Sequence, residues 1–379
     1  MTQTTDWLTT DIGSFAPLQR GFDLPNRERV NGDYPVVYSN GVMNFHHKYQ
    51  VKGPGVVTGR SGTIGKVHYV ENDYWPHNTA LWVKEFNNAV PKFVYYLYSY
   101  IGFERFSSGS GVPTLNRNDA HGFVINVPQK KEEQTSIANA LSDVDALLTE
   151  LEKLIAKKQA IKTATMQQLL TGKTRLPQFA TYTEGEKQGQ LKGTKMCELV
   201  EIPEDWDGKT FGEVMSIRHG KDQKAVQVVD GLYPIFGTGG KMGTTNIPLY
   251  DKPSVLIGRK GTINKPRYAD NPFWTVDTLF YSEISSKADP KFIFYKFSMI
   301  DWMQYNEASG VPSLNASTIE SVTASFPSKQ EQTAIAIILS DMDSEIQTLE
   351  QRLTKTRQIK QGMMQELLTG RTRLPFEKE

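Results

Sequence analysis

Residues 131–177 read KEEQTSIANALSDVDALLTELEKLIAKKQAIKTATMQQLLTGKTRLP, and residues 329–375 read KQEQTAIAIILSDMDSEIQTLEQRLTKTRQIKQGMMQELLTGRTRLP. Roughly half of the aligned positions are identical, so the chain carries an internal repeat. Working outward, the match continues upstream at an offset of about 199 residues. Asp6-Trp7 returns as Asp205-Trp206, Tyr34-Pro35 as Tyr233-Pro234, and Pro91-Lys92-Phe93 as Pro290-Lys291-Phe292. Gly59-Arg60-Ser61-Gly62-Thr63-Ile64-Gly65-Lys66 returns as Gly258-Arg259-Lys260-Gly261-Thr262-Ile263-Asn264-Lys265. Gly111-Val112-Pro113-Thr114-Leu115-Asn116 returns as Gly310-Val311-Pro312-Ser313-Leu314-Asn315. A period this long marks a duplicated domain pair, not a solenoid, whose repeats run to about 20–50 residues.

The quoted stretch predicts a long helix in each copy. Ile137, Leu141, Val144, Leu148, Leu151 and Ile155 step by four and three, a heptad seam; Ile335, Leu339, Met342, Ile346, Leu349 and Leu353 repeat it. Ser328 and Glu331 form a capping-box pattern at the second start, and Gly172 and Gly370 are expected just past the two ends. About 40 residues at 1.5 Å each give a rod on the order of 60 Å. One seam is too narrow to wrap a globular face, so the rods are expected to pair with each other. The alternative is that each rod folds back on its own domain. Before each rod, β-like runs such as Pro54–Val70 and Pro253–Tyr268 centre on a Gly-rich turn, which predicts hairpins. A helix then follows, in the second copy over Phe292 to Tyr305 with Asp289 as N-cap and Pro290 first.

The expected fold class is α+β. Two mixed α/β domains, 1–129 and 201–327, each precede a helix, 130–172 and 328–370. The two helices are expected to pair as an antiparallel coiled coil with pseudo-twofold symmetry, the domains at opposite ends. Residues 173–200 are a polar, Gly-containing linker, expected to be a flexible tether, and 371–379 a tail.

Composition narrows the function. The 379 residues hold 43 basic and 42 acidic side chains, a net charge of +1, without the large basic excess of a general polyanion binder. The single cysteine, Cys197, excludes an intrachain disulfide framework and a Cys-based zinc site. A reducing cytoplasm is the expected compartment. The start MTQTTDWLTT has no signal-peptide pattern, and the most apolar stretch, Phe93 to Phe103, is too short to span a bilayer.

These residues resemble the specificity subunit of type I restriction-modification enzymes over essentially the whole chain. The resemblance rests on Gly-Arg-Xaa-Gly-Thr-Ile in each half, Ser-Gly-Val-Pro-Xaa-Leu-Asn, the Glu-Gln-Thr-Xaa-Ile-Ala helix opening at Glu133 and Glu331, and Leu-Leu-Thr-Gly-(Lys/Arg)-Thr-Arg-Leu-Pro from Leu169 and Leu367. It implies two target-recognition domains on double-stranded DNA, separated by spacer helices. It also implies assembly with two N6-adenine methyltransferase subunits, with or without ATP-driven restriction subunits. S-adenosylmethionine, and ATP with Mg, are then expected on the partners and no cofactor on this chain. Asn264 in place of Gly65, and Thr5-Asp6-Trp7 in place of Ile202-Pro203-Glu204-Asp205-Trp206, depart locally.

The motifs carry no catalytic site. Gly59–Lys66 lacks the Walker spacing, with Arg60 at the first Gly position and Val67 at the Ser/Thr position. Asn271-Pro272-Phe273-Trp274 resembles an amino-methyltransferase motif but lacks its second proline, and Phe236-Gly237-Thr238-Gly239-Gly240 has the wrong spacing for a cofactor loop. Arg60 and Arg259 can offer bidentate forks to phosphate or guanine, or pair structurally with a carboxylate. The candidate DNA contacts are Arg60, Ser61, Lys66, His46 and Lys48 in the first domain, and Arg218, Lys221, Lys241, Arg259, Lys260 and Lys265 in the second. His46 and His47 are adjacent, so in a strand they face opposite sides and make no joint metal site. Two other classes compete: a self-sufficient methyltransferase or endonuclease, and a coiled-coil scaffold without a DNA role.

Overall fold

A computed structural model describes residues 6–108, 112–198 and 200–375. Thr5, Ser110 and Gly111 of the quoted motifs and the last residues of the tail lie outside them. The chain divides into two compact units, Met1–Lys153 with Gln351–Glu379, and Leu154–Glu350. Four helices run longer than two turns among the described residues: α1 (Pro91–Ile101), α2 (Lys131–Leu170), α3 (Pro290–Met299) and α4 (Lys329–Leu367). Each long helix, α2 and α4, gives its opening part to one unit and its closing part to the other.

In the first unit a four-stranded antiparallel sheet runs in the order Leu18–Arg20, Ala80–Val83, Gly55–Gly59, Val67–Val70. A three-stranded sheet, Gly41–His46, Tyr34–Tyr38, Trp75–Pro76, belongs to the same unit. The strand Gly55–Gly59 is buried at every position because it serves two cores. Successive side chains point to opposite faces. Val56 joins the large core with Phe93, Leu97 and Leu141, whereas Val57 joins a smaller one with Val37, Tyr74 and Trp82. The predicted hairpin is present, with Gly55 paired to Val70 and Thr58 to Val67.

The second unit repeats this plan. Its sheet runs Met215–His219, Leu279–Ile284, Ser254–Gly258, Arg267–Ala269. Val255 and Ile257 face the core of Phe292 and Leu339, and Leu256 faces that of Phe273 and Tyr281. The companion sheet gains one strand, Gln227–Val228, beside Gly240–Thr245, Tyr233–Gly237 and Trp274–Thr275.

The repeated Glu-Gln pair at each long-helix opening is explained by burial. Gln134 accepts from the Val90 N–H at 2.7 Å and donates to the Pro128 carbonyl; Gln332 accepts from Asp289 N–H at 2.9 Å and donates to the Pro327 carbonyl. Each glutamine ties its long helix to the start of α1 or α3. Glu331, 2% exposed, takes Arg175 Nε and Nη2 at 2.7 and 2.8 Å and Trp206 Nε1 at 3.2 Å. Glu133, 0% exposed, takes Arg373 through two bonds of 2.7 Å and Trp7 Nε1 at 3.1 Å. Both arginines come from the turn closing the other long helix.

Within each unit the two long-helix segments are therefore antiparallel. In the first unit Asp145 meets Lys360 and Glu152 meets Arg357; in the second, Lys158 meets Glu345 and Lys162 meets Asp343. The closing residues Leu367 and Leu368 enter the first core, and Leu169 and Leu170 the second. The seam has two jobs. Ile137 and Leu141, and Ile335 and Leu339, are buried in the domain cores. Leu151, Ile155 and Ile346 are buried too, while Val144, Leu148, Met342, Leu349 and Leu353 are half-buried. Pairing and folding back were posed as alternatives, and the seam openings do both.

Three expectations are corrected. The capping box is half-formed: Ser328 Oγ accepts from Glu331 N–H, but the Glu331 carboxylate is engaged by Arg175 and Trp206 instead of reaching back. The helix expected over Phe292 to Tyr305 stops at Met299, and a separate 3-10 turn, Trp302–Tyr305, follows. There Asp301 accepts from Met303 N–H and opens the new turn. The stretch expected to be a flexible tether is folded. It holds a helical turn, Pro177–Ala180, and a hairpin, Thr194–Cys197 with Val200–Pro203, fastened by Tyr182 to Glu204 and Lys192 to Asp205. Gly172 and Gly370 close the long helices as expected, at φ of 75° and 74°.

Candidate nucleic-acid interface

In each unit three loops converge. The Gly-rich turn after Gly55–Gly59 is held on one side by Thr79, whose carbonyl accepts from both Arg60 and Ser61 N–H at 2.9 and 3.1 Å. On the other side Gly62 N–H donates to Pro113 O, and Leu115 N–H to Arg60 O. The third loop is the turn between Tyr34–Tyr38 and Gly41–His46. A Cβ added at Gly59 would collide with the Thr63 carbonyl and press on Ser39 of that turn. Gly62 sits at φ +87°, a backbone shape that favours glycine.

The second unit builds the same cluster from different side chains. Thr278 O accepts from Arg259 and Lys260 N–H, Gly261 N–H donates to Pro312 O at 2.8 Å, and Leu314 N–H donates to Arg259 O. Gly261 has φ +89°, with Thr238 of the neighbouring hairpin turn nearest to it. The two motifs that recur in the sequence are thus bonded to one another. Asn116 and Asn315, which end the Pro-containing motif, cap the short helices Arg117–His121 and Ala316–Ser321. These bonds take up the N–H groups of Arg60, Ser61 and Gly62 and of Arg259, Lys260 and Gly261, so at these positions the turn offers a ligand its side chains.

Arg60 and Arg259 are half-buried, and each spends one guanidinium N–H on a backbone carbonyl: Asn78 O at 3.0 Å and Asp277 O at 3.3 Å. Their remaining donors are uncommitted to any protein group in the described contacts. Ser61 is half-buried beside Arg60; Lys66, Lys260 and Lys265 are exposed along the same turns. Lys241 is exposed on the strand leaving the hairpin turn, and Lys48 is exposed beyond the matching strand in the first unit. Lys221 has its backbone fixed, with its carbonyl accepting from Trp274 Nε1 at 2.9 Å, while its side chain is exposed. Arg218 is exposed and paired with Glu283 at 2.8 Å, which raises its pKa.

His46 differs from what the sequence suggested. It is 3% exposed, its Nδ1 lies 3.0 Å from Val30 O, and its ring stands edge-on to Trp75 at 5.1 Å. His46, a candidate DNA contact by sequence, is therefore corrected to an interior residue. His47, its neighbour, is exposed, as strand alternation predicts. Asn264 also behaves differently from Gly65. Gly65 has φ +93° against Glu104, whereas Asn264 is not among the left-handed residues, so the two turns differ in shape at their ends.

Sequence reasoning missed the residues that hold the cluster, Thr79, Thr278, Ser39 and Thr238, because they act through backbone atoms or contact. It also missed His68 and Arg267, at matched places beneath the hairpin turns and closest to Gly41 and Gly240. Burial lowers the His68 pKa, with Lys66 adding to the effect against a hydrogen bond with Ser39. The ring is then neutral at pH 7, and its Nε2 is buried without a partner, as is Arg267 Nε. Among the described residues no group of His, Cys, Asp and Glu could hold a metal ion, and no helix is long and apolar enough to cross a membrane.

A specificity subunit of the type I restriction enzyme MjaVIII of Methanocaldococcus jannaschii is 24% identical over 302 residues, 71% of this chain and 66% of that protein. The EcoDI specificity subunit of Escherichia coli is 23% identical over 168 residues, 44% of this chain and 38% of that protein. The matches thus span from about two fifths to two thirds of these relatives. A crystal structure of a type I restriction-modification S subunit from M. genitalium superposes over 97% of both chains, with a TM-score of 0.68 at 17% identity. A chain from a study of type I R-M complex assembly and conformational transition has a TM-score of 0.52 at 13% identity, over 97% of this chain and 98% of that one. The family model for the type I restriction modification DNA specificity domain matches twice, at residues 4–163 and 203–360. With both halves matched and the same loop cluster built in each, the chain belongs to the type I restriction-modification DNA specificity family.

Proposed function

We propose that this chain is the non-catalytic DNA-reading subunit of a type I restriction-modification complex and recognises an asymmetric bipartite target. One observation carries the reading: the same hydrogen-bonded three-loop cluster occurs in both units with different exposed side chains. Reading domains at 1–129 and 201–327 would each take one half-site. The spacers at 130–172 and 328–370 would set the gap, with 173–200 as the linker and 371–379 as the tail. Arg60, Ser61, Lys66 and Lys48 are the proposed contacts in the first domain. Arg218, Lys221, Lys241, Arg259, Lys260 and Lys265 are those in the second. Arginine forks suit guanine edges or phosphates, and lysines suit phosphates.

The hairpin sequences Val42–Val51 and Met242–Asp251 share little, which favours different half-sites. A net charge of +1 suits a reader that shares phosphate neutralisation with its partners. Those partners are two methyltransferase subunits carrying S-adenosylmethionine, with or without restriction subunits using ATP and Mg, acting in the cytoplasm. Methylome sequencing of cells with and without the gene, alongside the methyltransferase gene, tests this. The expected mark is N6-methyladenine in two unlike half-sites at one spacing. A mark in a single contiguous site, or methyl transfer by the purified chain without partners, would overturn it.

A further inference from the structure

The long helices meet through more than their seam. In the first unit Tyr96 of α1 donates its hydroxyl to Asp145 of α2 at 2.8 Å, and Lys360 of α4 reaches the same carboxylate at 2.6 Å. The Lys360 ammonium also lies over the Tyr96 ring, 5.6 Å from its centroid. In the second unit the partners exchange roles. Tyr295 of α3 donates to Asp343 of α4 at 2.7 Å, and Lys162 of α2 pairs with the same carboxylate, 5.4 Å over the Tyr295 ring. Each aspartate thus receives one bond from a reading domain and one from the other long helix.

This repetition is selective. The neighbouring pair Lys158–Glu345 of the second unit has no counterpart, since Thr356 and Leu147 stand at the matched places. The Tyr, Asp and Lys recur intact although much around them has changed. An apolar heptad seam can be satisfied again after a slide of seven residues, so seam contacts alone leave the register open. A half-exposed ion pair adds little cohesion in water. A carboxylate that must meet both a tyrosine and a lysine is satisfied in only one register.

We propose that the two Tyr–Asp–Lys contacts are register pins along the spacer, acting with the Glu133–Arg373 and Glu331–Arg175 clasps at its ends, with Asp145 and Asp343 as positioning residues. They tie the seat of each reading domain to the pairing of the long helices, and so select one gap between half-sites. This rests on the bipartite-recognition reading above. A slide by one heptad moves a helix end by roughly 10 Å, about three base pairs at roughly 3.4 Å each.

The test uses the full chain with three variants: Asp343→Lys, Lys162→Asp, and both together. One arm carries spin labels on cysteines at Thr163 and Gln347, which line one cleft between the long-helix segments of the second unit, with Cys197→Ser as background. The parent should give one label separation, each single variant a shifted or broadened one, and the double variant the parental value again. The other arm co-expresses the methyltransferase partner and measures methylation of targets that keep both half-sites but vary the spacer. Each single variant should lose its preference for the parental spacer at least tenfold, and the double should recover it. Unchanged label separations and spacer preference in the single variants would overturn the inference. So would a double variant that stays as impaired as the singles, including where a single variant fails to accumulate. The spin-label arm needs no DNA, so it judges the pins even if the parent marks no bipartite target, which would defeat the recognition reading separately.

Discussion

The two units share one plan but hold the incoming helix end differently. In the first, Arg373 reaches Glu133 from a partly open position, 40% exposed, with Asp6 at 3.4 Å as a second acid. In the second, Arg175 is 11% exposed and grips Glu331 and Asp205 together, with Lys192 also on Asp205. Arg175 Nη2 also donates to Phe179 O at 3.0 Å, and its guanidinium lies 5.7 Å from the Trp206 ring centroid. A further difference lies beneath. Lys296 of α3 donates to Leu170 O at 2.6 Å and to Ser325 Oγ, whereas Leu97 stands at the matched place in α1. The duplicated halves thus keep the acid and base of the clasp and diverge in what encloses them. Enclosure decides how much a charge pair matters, since burial removes the water that would otherwise replace a lost partner.

The sharpest way to break this comparison is to remove each clasp arginine. Arg175→Ala leaves the Glu331 carboxylate buried and unpaired, which should cost about 3–5 kcal/mol. Arg373→Ala should cost about 1–3 kcal/mol, because solvent reaches its side and can partly replace it. Urea unfolding followed by tryptophan fluorescence checks both, and equal losses would mean that the fuller enclosure of Arg175 adds nothing.

Lys296 separates the units by pH. Burial lowers its pKa to about 7, from an ordinary value of 10.5, so the unfolded chain binds this proton more tightly than the folded one. Stability should then rise as pH climbs from about 7 towards 10.5, where the folded amine is already neutral and the unfolded one still charged. Lys296→Leu, which copies the first unit, should flatten that rise in denaturation curves taken at several pH values.

The reading loops sharpen the comparison further. Arg60→Ala and Arg259→Ala should each weaken recognition of one half-site by about 1–3 kcal/mol, measured at matched salt with the partner subunits present. Equal, parent-like binding by both would assign the two arginines to their carbonyl bonds alone. The smallest effect belongs to Lys66→Ala. As a phosphate contact it should weaken binding uniformly across sequences and lower the slope against log salt by about 1.

Much of this was legible from residues. Asp289 before Pro290 marked a helix start, Gly172 and Gly370 marked two helix ends, and Gly-rich turns marked the two central hairpins. His46 was misplaced because alternation says that adjacent histidines part but not which one goes inside; Trp75 decides that from another part of the chain. The linker 173–200 looked free because its residues are polar, yet Tyr182 and Lys192 find Glu204 and Asp205 across a hairpin. The halted helix at Met299 went unseen because a capping aspartate, Asp301, sits within an otherwise helical pattern.

The residues in order were enough for the duplication, which needs only a comparison of the chain with itself, and for the heptad seams and the helix ends, which depend on neighbours a few positions apart. They could not tell that Glu133 belongs to Arg373 and Glu331 to Arg175, or that the Gly-rich turn is braced by the Pro-containing loop. Nor could they tell that one aspartate answers to both a reading domain and the opposite helix. Those pairings join side chains far apart along the chain. Whether an acid is a solvated surface charge or a buried anchor depends on which distant base and which apolar cover arrive when the chain folds.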